Sequence, residues 1–344
     1  NEPAESNFKS KVKITAYPCH ESGGIVWTYM GPKETMTPFR DFGTDSLPEE
    51  HIVAGRTHST CNWVQAMEGN IDTAHISWLH QYNAIDDIPD DGSDKPGYPT
   101  NAMSMKFWRH DRAPRLDVDL QWYGYRYAAI RTTPNNHTHV RITAYVVPYA
   151  TLVASIPFTT RQSLFVPIDD ETCWRYSLAT RPPSNPRGLG GPNRQQAPNY
   201  PYVTRGAFSL NNRGGNRPRP YTAENDYQID REAQRSVSFT GIPEFNSQDL
   251  MVTESMGPIY DRSQERLGTT DKAIIAMRSI LINAAKGLAE GEVPPAVGEH
   301  DYKSIRGAEK VLEPDEDWRK LGTDDDPIVQ EAELVVANGS SSDA

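Results

Sequence analysis

From Arg115 onward the apolar residues fall at every second position, and this constrains the fold more than any other feature of the 344-residue chain. Leu116, Val118, Leu120 and Trp122 alternate with Asp117, Asp119, Gln121 and Tyr123. Successive side chains on a strand point to opposite faces, so this pattern predicts a strand with one buried face. Further strand runs follow at VRITAYVVPY (140–149), TLVASIPF (151–158), QSLFVPI (162–168) and, after the DDET turn (169–172), CWRYSLAT (173–180). Short strands joined by tight connections imply an antiparallel sheet. Two shorter strands flank the Glu-Ser-Gly-Gly turn within VKITAYPCHESGGIVWTYM (12–30).

The period changes to 3.6 near the other end. In TDKAIIAMRSILINAAKGLAEG, Ile274, Met277, Leu281, Ala285 and Leu288 share one helical face, Thr270 is placed to cap the start and Gly291 to end it. Between sheet and helix, residues 181–220 are dense in Pro, Gly and Asn and carry seven Arg (Arg181, Arg187, Arg194, Arg205, Arg213, Arg217 and Arg219) with no acidic residue. That composition buries too little apolar surface for regular structure and predicts a long loop. Past Pro294 the chain turns acidic and ends in ANGSSSDA, a tail expected to be disordered.

Bulk properties narrow the class. A formal net charge of −11 argues against nucleic acid or an anionic membrane as the main partner. Three cysteines (Cys19, Cys61, Cys173), odd in number and without paired spacing, point to a reducing, cytoplasmic setting. No apolar run reaches the length of a membrane span. The start, NEPAESNFKSK, fits neither a signal nor a transit peptide and reads as an internal cut. A mean hydropathy of −0.67 indicates polar segments attached to a globular core.

The candidate site lies in NWVQAMEGNIDTAHISWLHQ (62–81), spaced Asp72-x-x-His75-x-x-x-x-His80. Neutral imidazole is a ligand for Fe, Zn, Cu or Ni, so two nearby histidines can begin a chelate. Ile71, Ala74, Trp78 and Leu79 fit one helical face. On a straight helix, however, positions i and i+5 point about 140° apart. One ion is therefore shared only where the helix bulges or ends between the two histidines. The bland alternative is a helix that contains two histidines by chance.

Asn62-Trp63-x-Gln65-x-x-Glu68-Gly69-x-x-Asp72-x-x-His75-x-x-x-x-His80 resembles the catalytic-domain motif of Rieske non-haem iron ring-hydroxylating oxygenases, large (alpha) subunit, particularly the phthalate 4,5-dioxygenase-like group. ESGGIVWTYMGP (21–32), DRAPRLDV (111–118), NDYQIDREAQRSVSFTGI (225–242) and QDLMVTESMGPIYDRSQERLGTTD (248–271) resemble the same group in the same order, so the resemblance runs in blocks over roughly residues 1–295. It implies an α+β helix-grip (START/Bet v1-like) domain, an antiparallel sheet around a long helix, at residues 36–295. Residues 1–35 would be remnant strands of a Rieske domain and 296–344 a partly disordered acidic extension.

The resemblance also implies mononuclear Fe(II) on His75, His80 and a distant carboxylate matched by Asp249. Composition alone does not choose Asp249 over Asp226 or Asp230, and a helix cap or surface charge is its plain alternative. Asp72 would bridge a ligand histidine to the Rieske cluster of a neighbouring subunit; otherwise it is a turn residue facing water. Implied partners are O2, a small aromatic substrate, a reductase with flavin and iron–sulfur centre using NAD(P)H, and two further copies in a homotrimer or trimer-based hexamer. The Rieske [2Fe–2S] centre of this family takes Cys-x-His and Cys-x-x-His. None of the three cysteines fits, so no cluster ligand is expected in this chain.

For an aromatic carboxylate, Arg is suited to bidentate grip; Arg112, Arg115, Arg126 and Arg131 lie in the strand region. Each is also readable as an ordinary surface or edge-strand arginine. His137 and His139 would share one face of a strand like half a cupin site, without the rest of that pattern. Two alternatives stand beside the oxygenase: a non-enzymatic helix-grip ligand-binding module, and a hydrolase using another metal at the same residues.

Overall fold

The computed structural model describes residues 3–45, 47, 51–87, 92, 94–153, 161–180, 220–313, 315–327 and 329. The expected Arg-rich loop, apart from residue 220, and the ANGSSSDA tail lie outside them. The short helix α1 (Phe8–Lys11) precedes a hairpin of β1 (Cys19–Ser22) and β2 (Ile25–Thr28). Its turn needs two left-handed residues, and Gly23 and Gly24 supply them at φ +64° and +73°.

The main sheet contains β3 (Ile52–Ser59), β4 (Arg115–Gln121), β5 (Gly124–Thr132), β6 (Thr138–Val146), β7 (Ala150–Val153), β8 (Arg161–Pro167), β9 (Cys173–Thr180) and β10 (Ala308–Leu312). Its order is β3-β9-β8-β7-β6-β5-β4, with every named pair antiparallel. β7 pairs with β6 over Ala144–Val146, and β10 pairs with Thr138–Ile142 where β7 is no longer alongside. Five residues of the acidic segment past residue 295, Ala308–Leu312, are therefore built into the sheet.

The 3₁₀ turn after β10 (Trp318–Lys320) explains why β5 is buried on both faces. Tyr125, Tyr127 and Ala129 join the main core with Met67, Ile71 and Met277, while Ala128 packs with Ile142, Trp318 and Leu321. The alternation read in β4 holds at Leu116, which is 4% exposed, but not at Leu120, 69% exposed, or Trp122, 40% exposed. β4 is an edge strand, so its far end lacks a neighbour on one side. Trp122 stacks instead on the His300 ring at 4.2 Å.

Helices α2 (Trp63–Ile71), α3 (Asn101–His110), α4 (Arg231–Ser236), α5 (Phe245–Ser255) and α6 (Lys272–Ala289) complete the α-helices among the described residues. α6 packs on β4 and β5, burying Ala273, Ile274 and Met277, and the chain leaves it through Gly291 at φ +89°. Its N-cap position is Asp271, one residue past the expected Thr270, and the outermost expected face residue, Leu288, is exposed. The expected α+β architecture, with a long helix laid on an antiparallel sheet, is the one observed. α2 lies against β7, β8 and α5, which sets the position of the site.

Candidate metal centre

The run 62–81 is not one helix. Asn62 caps α2 by accepting from the Val64 amide at 3.0 Å, and α2 stops at Ile71. Two side chains on one face of β5 take the carbonyls released there: the Tyr127 hydroxyl donates to Ile71 O, and Arg131 Nη2 donates to Thr73 O at 3.0 Å. Asp72 accepts from the Ala74 amide at 2.8 Å, and a short 3₁₀ turn (His75–Ser77) follows. The helix ends before both histidines rather than between them, which removes the 140° divergence, so both imidazoles turn to one point. The shared face read from Ile71 to Leu79 does not survive this break, and Trp78 is 48% exposed.

α5 brings the third group. On α2, Gln65 Nε2 donates to Thr253 O at 2.7 Å and to Gly257 O at 2.9 Å, while its Oε1 accepts from the Tyr260 amide. Glu254 at the end of α5 accepts from the Thr60 amide and the Tyr227 hydroxyl. Glu68 meets Arg278 of α6 at 2.6 Å. The motif residues beside the histidines thus fasten α2 to the elements around it.

His80 Nε2 lies 3.0 Å and His75 Nε2 3.4 Å from Asp249 Oδ1, and the two Nε2 atoms are 3.2 Å apart. With bonds of about 2.1 Å, a coordination face has edges of about 3.0 Å around an octahedral ion and about 3.4 Å around a tetrahedral one, so the three atoms match one face of a single ion and leave its other side open. Among the described residues, His75, His80 and Asp249 are the group of three His, Cys, Asp or Glu residues close enough to hold an ion. His80 is fully buried and its Nδ1 meets Gln248 Oε1 at 2.7 Å.

The electrostatics favour a cation. Burial acts to lower the His75 pKa, but Asp249 and Asp72 outweigh it and raise it to about 10. Burial raises Asp249 and Asp72, yet the histidines, with backbone amides at Asp72, leave both carboxyls below the usual range. Two carboxylates therefore flank His75, with Asp72 Oδ2 3.5 Å from its Nδ1. A divalent ion supplies the positive charge that a proton otherwise brings.

The other expected residues lie elsewhere. Arg112 sits over the Trp78 ring, Arg126 pairs with Asp119, and Arg131 is buried against the carbonyls of Thr73 and Asp111. None of them lines the small cavity beside Asp249, about 20 Å³, which is bounded by Ser59, Asn70, Phe165, Arg175, Thr253 and neighbours. Arg175 does line it. Its guanidinium donates to Asn70 Oδ1 at 2.9 Å and to Ser163 Oγ at 3.3 Å, and no described carboxylate lies within ion-pair distance. Burial lowers its pKa, with Asp249 acting in the opposite sense. The strand period of CWRYSLAT gives Arg175 a face but not which face turns toward Asp249, so the sequence carried no signal for it. His137 meets Asp94 and His139 meets Glu309, so this histidine pair does not converge.

An α+β domain with two histidines and one carboxylate at the corners of an open coordination face defines a candidate mononuclear non-haem oxygenase site. The family described as "LigXa C-terminal domain like" matches residues 28–339. The chain belongs to this family, the catalytic domain of Rieske-type oxygenases. It is 32% identical to the phthalate 4,5-dioxygenase oxygenase subunit of Pseudomonas putida, over 98% of this chain and 75% of that protein. It is 30% identical to the 3-chlorobenzoate-3,4-dioxygenase oxygenase subunit of Comamonas testosteroni, over 91% of this chain and 72% of that one. Among solved structures, the terminal oxygenase of carbazole 1,9a-dioxygenase from Nocardioides aromaticivorans is similar at 16% identity and a TM-score of 0.45, covering 82% of this chain and 71% of that chain. No helix among the described residues is long and apolar enough to cross a membrane.

Proposed function

We propose that His75, His80 and Asp249 hold one Fe(II) and that the chain is the catalytic part of an oxygenase acting on an aromatic carboxylate. The observation that carries this reading is the triangle of ligand atoms with edges of 3.0 to 3.4 Å. Iron bound there would supply O2 activation at its open positions, with electrons that start on NAD(P)H and pass through a flavin and iron–sulfur reductase and a Rieske [2Fe–2S] cluster. Asp72, hydrogen-bonded to the His75 amide and facing its ring, is the residue through which this chain would accept them, in a trimer or trimer-based hexamer.

The substrate class rests on Arg175 and on relatives named for phthalate and 3-chlorobenzoate, both aromatic carboxylates. A half-buried guanidinium whose described hydrogen-bond acceptors are neutral is suited to a carboxylate. The cavity has the space of an ordered water, so this reading requires its side-chain walls to part for an aromatic ring.

The test begins with metal content after anaerobic Fe(II) loading of the wild type, His75→Ala and Asp249→Ala. About one iron per wild-type chain, lost in both variants, is expected. Benzoate and phthalate are then supplied with O2 and a chemical reductant. Hydroxylated product supports the oxygenase, whereas tight binding without product leaves a ligand-binding module. No iron in the wild type overturns the reading.

A further inference from the structure

The residue before Asp249 has all its polar capacity committed. Gln248 is fully buried on α5, its Nε2 donating to Ile242 O at 2.7 Å and to the Tyr82 hydroxyl at 3.1 Å, while Oε1 faces His80 Nδ1 at 2.7 Å. A carbonyl only accepts, so Ile242 O fixes which end of the amide is NH2. The other end is then the oxygen, which also only accepts, and His80 Nδ1 must carry a proton. In the neutral ring the lone pair is left on Nε2, the atom 3.0 Å from Asp249 Oδ1.

Each member of this chain is held in turn. Phe245, one turn before Asp249 on α5, stacks on the His80 ring at 3.5 Å between centroids and 15° between planes. Ile242 is placed by Gly241 at φ +69°, where a Cβ would collide with the Asp230 carbonyl, and by the Thr240 hydroxyl accepting from its amide. One helix thus carries the carboxylate ligand, the ring's stacking partner and the amide that selects its tautomer.

We infer that Gln248 is a positioning residue: it locks His80 as the Nδ1–H tautomer and aims its Nε2 at the metal, with the Ile242 carbonyl as the fixed reference. The metal part of this inference rests on the proposed function; the tautomer part does not. A residue that orients a ligand histidine in this way typically carries 10- to 100-fold in metal affinity.

The experiment has two arms. Long-range ¹H–¹⁵N spectra of the wild type, metal-free and Zn(II)-loaded, are expected to place a proton on His80 Nδ1 in both forms. Fe(II) affinity, read anaerobically by competition with a chromophoric chelator, is expected to fall about 10- to 100-fold in Gln248→Leu. It should stay near wild type in Tyr82→Phe, where the Ile242 anchor remains. A bare Nδ1 in the wild type overturns the inference, as does a folded Gln248→Leu protein that binds Fe(II) as tightly as wild type. If the wild type binds no Fe(II), the metal reading fails while the metal-free spectrum still decides whether His80 Nδ1 donates to Gln248. That spectrum also decides it should Gln248→Leu fail to fold.

Discussion

Arg278 is the residue whose removal tests most directly how the site-bearing helix is held. Its Nε meets Glu68 Oε1 at 2.6 Å, and its two terminal nitrogens grip Glu265 at 2.6 and 2.8 Å. The side chains are 20%, 12% and 16% exposed for Arg278, Glu68 and Glu265, so the cluster lies well toward the buried limit. Breaking a fully buried ion pair costs about 3–5 kcal/mol, because a charge is left unpaired; an exposed pair is worth about 0.2–1 kcal/mol. Arg262 still faces both glutamates, at 3.0 and 3.1 Å, which lowers the cost. Arg278→Met should therefore lose about 2–4 kcal/mol, and Arg278→Lys, which keeps the charge but not the fork, about half of that. Urea unfolding of the three proteins at low and high salt measures it, and high salt should shrink the loss only partly. A loss below about 0.5 kcal/mol would refute the reasoning, since the cluster would then behave as an exposed pair.

Other outcomes follow from single contacts. In Arg175→Met, affinity of the Fe(II)-loaded protein for benzoate should fall about 10- to 150-fold, the value of a charge-assisted hydrogen bond of about 1.5–3 kcal/mol, and equal affinity by calorimetry would remove Arg175 from the substrate site. Gly241→Ala should cost about 2 kcal/mol or more in thermal or urea unfolding, because the residue sits at φ +69° against the Asp230 carbonyl. Acid should destabilise the fold in two stages. Burial, aided by Arg131 and Arg141 and opposed by Glu309, lowers His139 below 6.5, so the unfolded chain takes up that proton first and stability falls as pH drops below 6.5. Glu309, which burial raises but Arg141 and His139 hold down to about 2, adds a further loss between 4.5 and about 2. Stability against pH for wild type and His139→Gln checks this, the variant losing the upper stage. Fe(II) at about a hundred times its dissociation constant should stabilise by about 2.7 kcal/mol, an increment that a chelator removes.

What the sequence by itself determined was local or periodic. The two-residue period set the strands, tight connections made them antiparallel, and the spacing of His75 and His80 excluded a straight helix through both, although α2 ends at Ile71, before either histidine, rather than bulging or ending between them. Periodicity misjudged Leu120, Trp122 and Leu288, because it knows nothing of where a sheet or helix runs past its neighbours. Asp249 lies 169 residues beyond His80, and only its resemblance to a family, not its composition, marked it out. The tertiary structure decided the rest: that α5 sets Asp249 against His80, that Tyr127 and Arg131 donate to the carbonyls freed at the end of α2, and that Trp318 and Leu321, after β10, cover a face the strand pattern left open. It also decided that Arg175, rather than Arg112, Arg126 or Arg131, faces the cavity. These depend on contacts between residues far apart in the chain, which the order of residue types does not encode locally. They are fixed only when burial and hydrogen-bond satisfaction are met for the whole domain at once.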